Sequence, residues 1–228
     1  MISRDADGFI LDNSLDGGDS ANRAGILALC GSPEVLSRYV KDGVCVRHPT
    51  QHPWDNPKNF TRDQLTPLVA GLWAQGQHAE VRKILWRHIL RLGFAQNFER
   101  DIPGSTKYPW PHSFINDKGQ YEKRNFDFAD PLGPSDFWHL ILCARAWYFY
   151  WLAPLGYAWL LVSLVIYCLC NNGDDEGQVI CQCAVAGKPF KKLYLKLRKN
   201  AAAKLYQYWS VRRNQAEIGR ALWGKLND

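Results

Sequence analysis

From Ala146 to Gly173 the chain carries no Asp, Glu, Lys or Arg, an uncharged run of 28 residues. Its centre, Trp151–Cys170, reads WLAPLGYAWLLVSLVIYCLC and has Ser163 as its one plainly polar residue. A helix needs about 20 apolar residues to cross a bilayer core, so this segment sits at the threshold between a membrane helix and the core helix of a helical domain. Trp151, Trp159, Leu160, Leu161 and Val165 are the residues expected to meet lipid. Trp147, Tyr148, Tyr150 and Tyr157 crowd the same end, as interfacial aromatics do. Pro154 and Gly156 interrupt the run. A hairpin of Phe137–Trp151 and Leu155–Cys170 turning at Pro154 is therefore a second arrangement. It would need no transfer of the polar N-terminal part across a membrane, and Met1–Leu15 lacks the basic and apolar regions of a signal peptide.

Charge divides around this run. Residues 188–228 hold 11 Lys and Arg against Glu217 and Asp228, a net +9, which leaves −3 for the rest of the chain. Beside an apolar segment, such a tail fits anionic lipid headgroups better than nucleic acid. The positive-inside rule then puts the C-terminus on the cytoplasmic side. The expected partners are membrane lipids, through 151–170 and 188–228, and a carbohydrate substrate.

The remaining pattern is helical. Ala21–Cys30 and Pro33–Lys41 are expected helices, Ser20 and Ser32 being suitable caps. Val44–Arg47 is a short extended piece, and His48–Lys58, with three prolines, is loop. Thr61-Arg62-Asp63-Gln64 has capping-box spacing and opens a helix. A break at Gln75-Gly76-Gln77 and a second helix over His78–Leu92 complete a helical hairpin. Phe94–Gly133 is a long connection rich in Pro, Asn and Asp. Ser135 is expected to cap a helix from Asp136, and Phe190–Leu226 reads as amphipathic helix. No strand pair is expected. The fold class is mainly α: helical hairpins with long loops, an apolar helix or hairpin near 137–170, and a basic helical tail. The expected divisions are 1–134, 135–187 and 188–228.

No P-loop, GxGxxG, G-x-S-x-G, HExxH or kinase signature occurs, which disfavours nucleotide-dependent chemistry. Acids gather in loops, where catalytic groups collect. Glycoside hydrolysis uses two carboxylates across one bond, and aromatic rings such as Trp54, Tyr108, Trp110, Phe126 and Trp138 stack on sugars. On this pattern Asp63, with Asp16, Asp19 or Asp130, would act as acid and base. Arg23, Arg47, His48, Trp54, Arg62, Gln64 and Trp110 would bind substrate. Capping of backbone amides by the same Asp side chains is the structural alternative. No cofactor is expected beyond a loosely bound divalent cation at the Asp-rich start. Asp12, Ser14, Asp16 and Gly17 match the first half of a calcium loop, but Arg23 stands where its closing Glu belongs. Cys45, His48 and His52 supply only three local ligands, too few for structural zinc. The cysteines read as inert and buried in a reducing compartment.

The segments LDGGDSANR (Leu15–Arg23), Arg47-His48-Pro49 and Thr61–Gln64 together resemble uncharacterised proteins of bacteriophages and prophages, over roughly the first third of the chain. The resemblance implies an origin, and groups Asp16, Asp19, Arg23, Arg47, His48, Arg62, Asp63 and Gln64 as one constellation. It implies no settled activity.

Overall fold

A computed structural model describes residues 2–11, 15–52, 54–57, 60–92, 113–115, 121–123, 132–170, 176–198, 209 and 215–228. Among them are eight α-helices: α1 (Ser20–Leu29), α2 (Arg62–Ala74), α3 (His78–Arg87), α4 (Pro134–Ala144), α5 (Ala153–Cys170), α6 (Glu176–Ala186), α7 (Lys188–Leu197) and α8 (Ala216–Asn227). The fold is mainly α, as the periodicity indicated.

Helices α1 and α2 form the centre. They cross at backbone contact, because Gly25 and Gly71 face each other. A Cβ on Gly25 would stand 2.3 Å from the Pro67 carbonyl oxygen, and one on Gly71 2.7 Å from the oxygen of Gly25. No side chain fits at such a separation, so the crossing is specified by these two glycines. Leu68, Val69 and Leu72 of α2 are wholly enclosed, as are Ile180 and Cys181 of α6 and Ile218 and Leu222 of α8. One apolar core thus takes residues from all three expected divisions.

Two small antiparallel pairs depart from the expectation of no strands. Val40–Lys41 (β1) pairs with Val44–Cys45 (β2), and Ser113–Ile115 (β3) with Tyr121–Lys123 (β4). In the first, Asp42 and Gly43 both have positive φ, 51° and 80°. An Asp-Gly pair is the standard occupant of such a two-residue turn. It shortens the helix expected over Pro33–Lys41 to a single 3-10 turn, Leu36–Tyr39.

The apolar stretch folds as a hairpin, but its turn lies earlier than Pro154. Arg145, in left-handed conformation at φ 49°, ends α4. A 3-10 turn over Trp147–Leu152 leads into α5. Pro154 falls in the first turn of α5, where a missing N–H is harmless. His78 Nδ1 lies 3.0 Å from the Cys143 carbonyl, and Arg82 donates to that of Ala144 at 3.2 Å. Side chains of α3 thereby satisfy the last carbonyls of α4.

The long connection Phe94–Gly133 is described only at β3, β4, Leu132 and Gly133, and the helix expected over Phe190–Leu226 only at α7, Arg198, Trp209 and from Gln215 onward.

Candidate functional site

The N-termini of α1 and α2 meet, and their meeting assembles most of the expected constellation. Gln64, fully buried, is its hub. Its Oε1 accepts from the backbone N–H of Asn22 at 3.0 Å. Its Nε2 donates to Asp19 Oδ1 and to Asp63 Oδ2, both at 3.1 Å. Those two carboxylate oxygens therefore lie at most about 6 Å apart, twice the bond length to the shared nitrogen. Retaining glycosidases hold their carboxyl groups about 5–5.5 Å apart.

Pro67 explains the next contact. It has no N–H to give the carbonyl four residues earlier, that of Asp63. Asn22 Nδ2 fills the position, donating to the Asp63 carbonyl at 2.7 Å. The first N–H groups of α1 are satisfied from outside the helix in the same way, Ala21 N donating to the Arg47 carbonyl at 2.9 Å. The expected caps are replaced accordingly. Neither Asp19 nor Thr61, the residues preceding α1 and α2, makes a side-chain cap bond. Ser20 Oγ instead lies 2.8 Å from the Tyr39 hydroxyl, and Thr61 Oγ1 donates to Asp63 Oδ1. At α4 the expected Ser135 cap gives way to Asp136, whose Oδ2 accepts from Gly133 N at 3.0 Å.

Arginines close the site. Arg23, on α1, is 1% exposed and reaches Asp19 Oδ2 at 3.2 Å. A buried guanidinium requires such an acceptor. Arg47 donates to the Gly18 carbonyl at 2.9 Å and to Thr61 Oγ1 at 2.7 Å, and lies over the Trp54 ring, 5.4 Å from its centroid. It ties the glycine loop to the start of α2. Arg62 points to the opposite flank, with Nη1 3.8 Å from Asp136 Oδ2. Asp136 also accepts from Gln182 Nε2 at 2.6 Å, linking α4 to α6.

His48 is enclosed at the edge of the site. Its Nδ1 accepts from the backbone N–H groups of Thr50 and Gln51, at 3.3 and 3.1 Å. The proton of the neutral ring is thus on Nε2, 3.1 Å from Asp5 Oδ2. Burial pulls its pKa below the ordinary histidine value, against the pull of Asp5. Asp16 caps a turn of the glycine loop, its Oδ1 accepting from Gly18 N at 2.7 Å. Asp12, Ser14, Asp130 and Trp110 lie outside the described residues. Among those described, no group of three or more His, Cys, Asp or Glu side chains is placed to hold a metal ion. The thiols of Cys30 and Cys45 are pushed up by burial, to about 11 and about 12.

A second polar cluster was not anticipated. Glu176, at the start of α6 and 1% exposed, accepts from Tyr167 of α5 at 3.0 Å and from the hydroxyl of Tyr194 on α7. Arg198 donates to both of its oxygens, from Nε at 3.2 Å and from Nη2 at 2.8 Å. Burial keeps the Tyr194 hydroxyl protonated by raising its pKa, so that it remains a donor.

The apolar helix is the third feature. Trp147–Leu169 is long and apolar enough to cross a membrane, with mean hydropathy 2.0, and only 22% of its most apolar window is buried. One face is docked on the protein. A Cβ on Gly156 would strike the Trp138 ring at 2.2 Å, and Leu160, Leu164 and Tyr167 continue that face. Leu160, grouped with the lipid-facing residues on sequence, therefore packs inward. The opposite face is bare: Trp151 is 74% exposed, Leu155 58%, Ile166 56% and Leu169 79%, with Trp159, Leu161 and Val162 also exposed. Val165 is half-buried between the two faces.

Comparisons of the chain with protein-family models, curated proteins and solved structures give no match in any of the three, so its function has to be argued from these clusters and this helix.

Proposed function

We propose that this chain is a membrane-associated protein that meets the bilayer through the outer face of α5. The observation that carries the reading is the bare face itself. Trp151, Leu155, Val162, Ile166 and Leu169 form a continuous apolar strip on a helix whose other side is committed to the protein. Patches of this kind mark membrane or partner contacts, and the exposed tryptophans at one end suit the headgroup boundary. Because Gly156, Leu160, Leu164 and Tyr167 are packed against the body, we place α5 side-on to the membrane, as interfacial helices lie, with the C-terminal helices toward the cytoplasmic leaflet. The full-length chain should float with phosphatidylcholine vesicles in a density gradient. A Leu155→Glu/Ile166→Glu variant should remain in the load fraction. A wild type that stays unbound at every lipid concentration overturns the proposal.

The carboxylate pair at the N-terminal site favours a second reading, a phage-type hydrolase acting on a cell-envelope carbohydrate at that membrane. Asp19 and Asp63 would be its acid and base, and Trp54 a sugar platform. Their oxygens are at most about 6 Å apart, an upper bound that admits the roughly 5–5.5 Å spacing of double displacement. Release of reducing ends from purified envelope glycans measures it. Wild-type activity abolished by Asp63→Ala is the expected result, and an inert wild type removes the class.

A further inference from the structure

Resting on the membrane reading above, we infer that the bilayer this protein docks on is anionic, and that a lysine row on α7 reads its headgroup phosphates. The argument starts at Glu176. Tyr167 of α5 and Tyr194 of α7 both donate to its carboxylate. The inner faces of the two helices are therefore turned toward the same buried point. Tyr157 of α5 and Phe190 of α7 stack at 5.6 Å, which makes the helices neighbours. The face of each helix opposite its tyrosine is consequently turned away from that buried point.

On α5 that opposite face is the bare apolar strip. On α7 it is Lys188, Lys192 and Lys196, which recur every fourth residue and so share one stripe. All three are exposed. Arg198, the next cation along the chain, is instead turned in to Glu176. The bare apolar strip of α5 thus has an exposed cationic stripe on the neighbouring helix, the pairing by which an amphipathic surface joins acyl burial to attraction for anionic lipid. A second copy of the chain would bring like charges together if it docked symmetrically. Nucleic acid would use the lysines and leave the apolar strip in water. An anionic bilayer uses both.

Each lysine near an anionic surface contributes about 1 kcal/mol, or about fivefold in partition, so three give a preference on the order of a hundredfold. The test compares the full chain on vesicles of phosphatidylcholine and on vesicles containing phosphatidylglycerol as well. Wild type is expected to partition on the order of a hundredfold more strongly to the mixed vesicles, and 0.5 M NaCl to bring that ratio toward one. Lys188→Gln/Lys192→Gln/Lys196→Gln should lose the preference and keep the binding to phosphatidylcholine. Equal partition of wild type to both vesicles overturns the lipid selectivity while the membrane reading stands. No binding to either overturns the membrane reading itself. Because the salt response is read on wild type, the inference stays falsifiable even if the triple variant fails to fold. Dimerisation in detergent-free buffer that occludes the strip from vesicles would assign the surface to a second copy instead.

Discussion

The two polar clusters of this protein are built on opposite plans. Around Glu176, two tyrosines and one arginine deliver four hydrogen bonds to two oxygens, which fills the acceptor capacity of a carboxylate. The cluster is closed to water. At the α1–α2 junction a neutral amide mediates between two carboxylates, and Asp19 keeps 22% of its side-chain surface. The first arrangement can only hold helices together. The second holds helices together and still touches solvent, so it is the one where chemistry could be done. Burial of charge by itself does not mark a functional site; what remains accessible after the bonds are counted does.

Breaking the closed cluster should have the largest effect. Glu176→Ala leaves Arg198 buried beside two hydroxyls that cannot neutralise it, and should cost about 3–5 kcal/mol in urea unfolding. Replacing Glu176 and Arg198 together by methionine should recover much of that. A single-variant loss below about 1 kcal/mol would mean that the two clusters do not differ as described.

Acid should act next, through the histidine joining α4 to α2. His139 Nε2 lies 3.1 Å from the Thr66 carbonyl, and burial lowers its pKa to about 4. The folded state thus binds fewer protons than the unfolded chain, whose histidine titrates near 6.5. The stabilisation is complete above about pH 6.5 and is lost as the pH falls toward 4. At pH 5 it should have dropped by about 2 kcal/mol. His139→Asn should remove this part of the pH slope, as read from unfolding midpoints between pH 7 and 5.

The open cluster should yield less. Gln64→Leu deprives Asn22 N–H of its acceptor, with an expected loss of about 1–3 kcal/mol in thermal or denaturant unfolding. Asn22→Ala removes the donor to the Asp63 carbonyl and should cost about 1 kcal/mol. If Asn22→Ala proves as damaging as Glu176→Ala, the junction is as tightly closed as the buried ion pair and the contrast fails.

The legibility of these regions in the sequence follows from their chemistry. The α1–α2 site could be read because turn and helix-start residues cluster locally: Asp16 to Arg23 and Thr61 to Gln64 announce themselves within short windows. What the windows do not show is the bond that Asn22 makes, since it depends on a hydrogen Pro67 lacks. The Asp42-Gly43 turn was legible in principle, its strands being too short to show alternation. Glu176 and Arg198 stand 22 residues apart, and Glu176 reads as the end of an acidic loop. For α5 the difficulty is uniformity. A helix that is apolar all round carries no periodic mark of which side packs; that side shows only in three dimensions, where Gly156 fits against Trp138 and Leu160, Leu164 and Tyr167 are buried.

Pro67 has one more consequence. Helices that pack by smooth apolar faces can slip along each other by a turn, about 5.4 Å, at little cost. Here the carbonyl of Asp63 accepts Asn22 at a single height on α2, and Gly25 meets Gly71 at another. A slip would strand that carbonyl and drive side chains into backbone at the crossing. The proline that weakens α2 as an isolated helix thus works as a vernier, fixing where α1 stops along it.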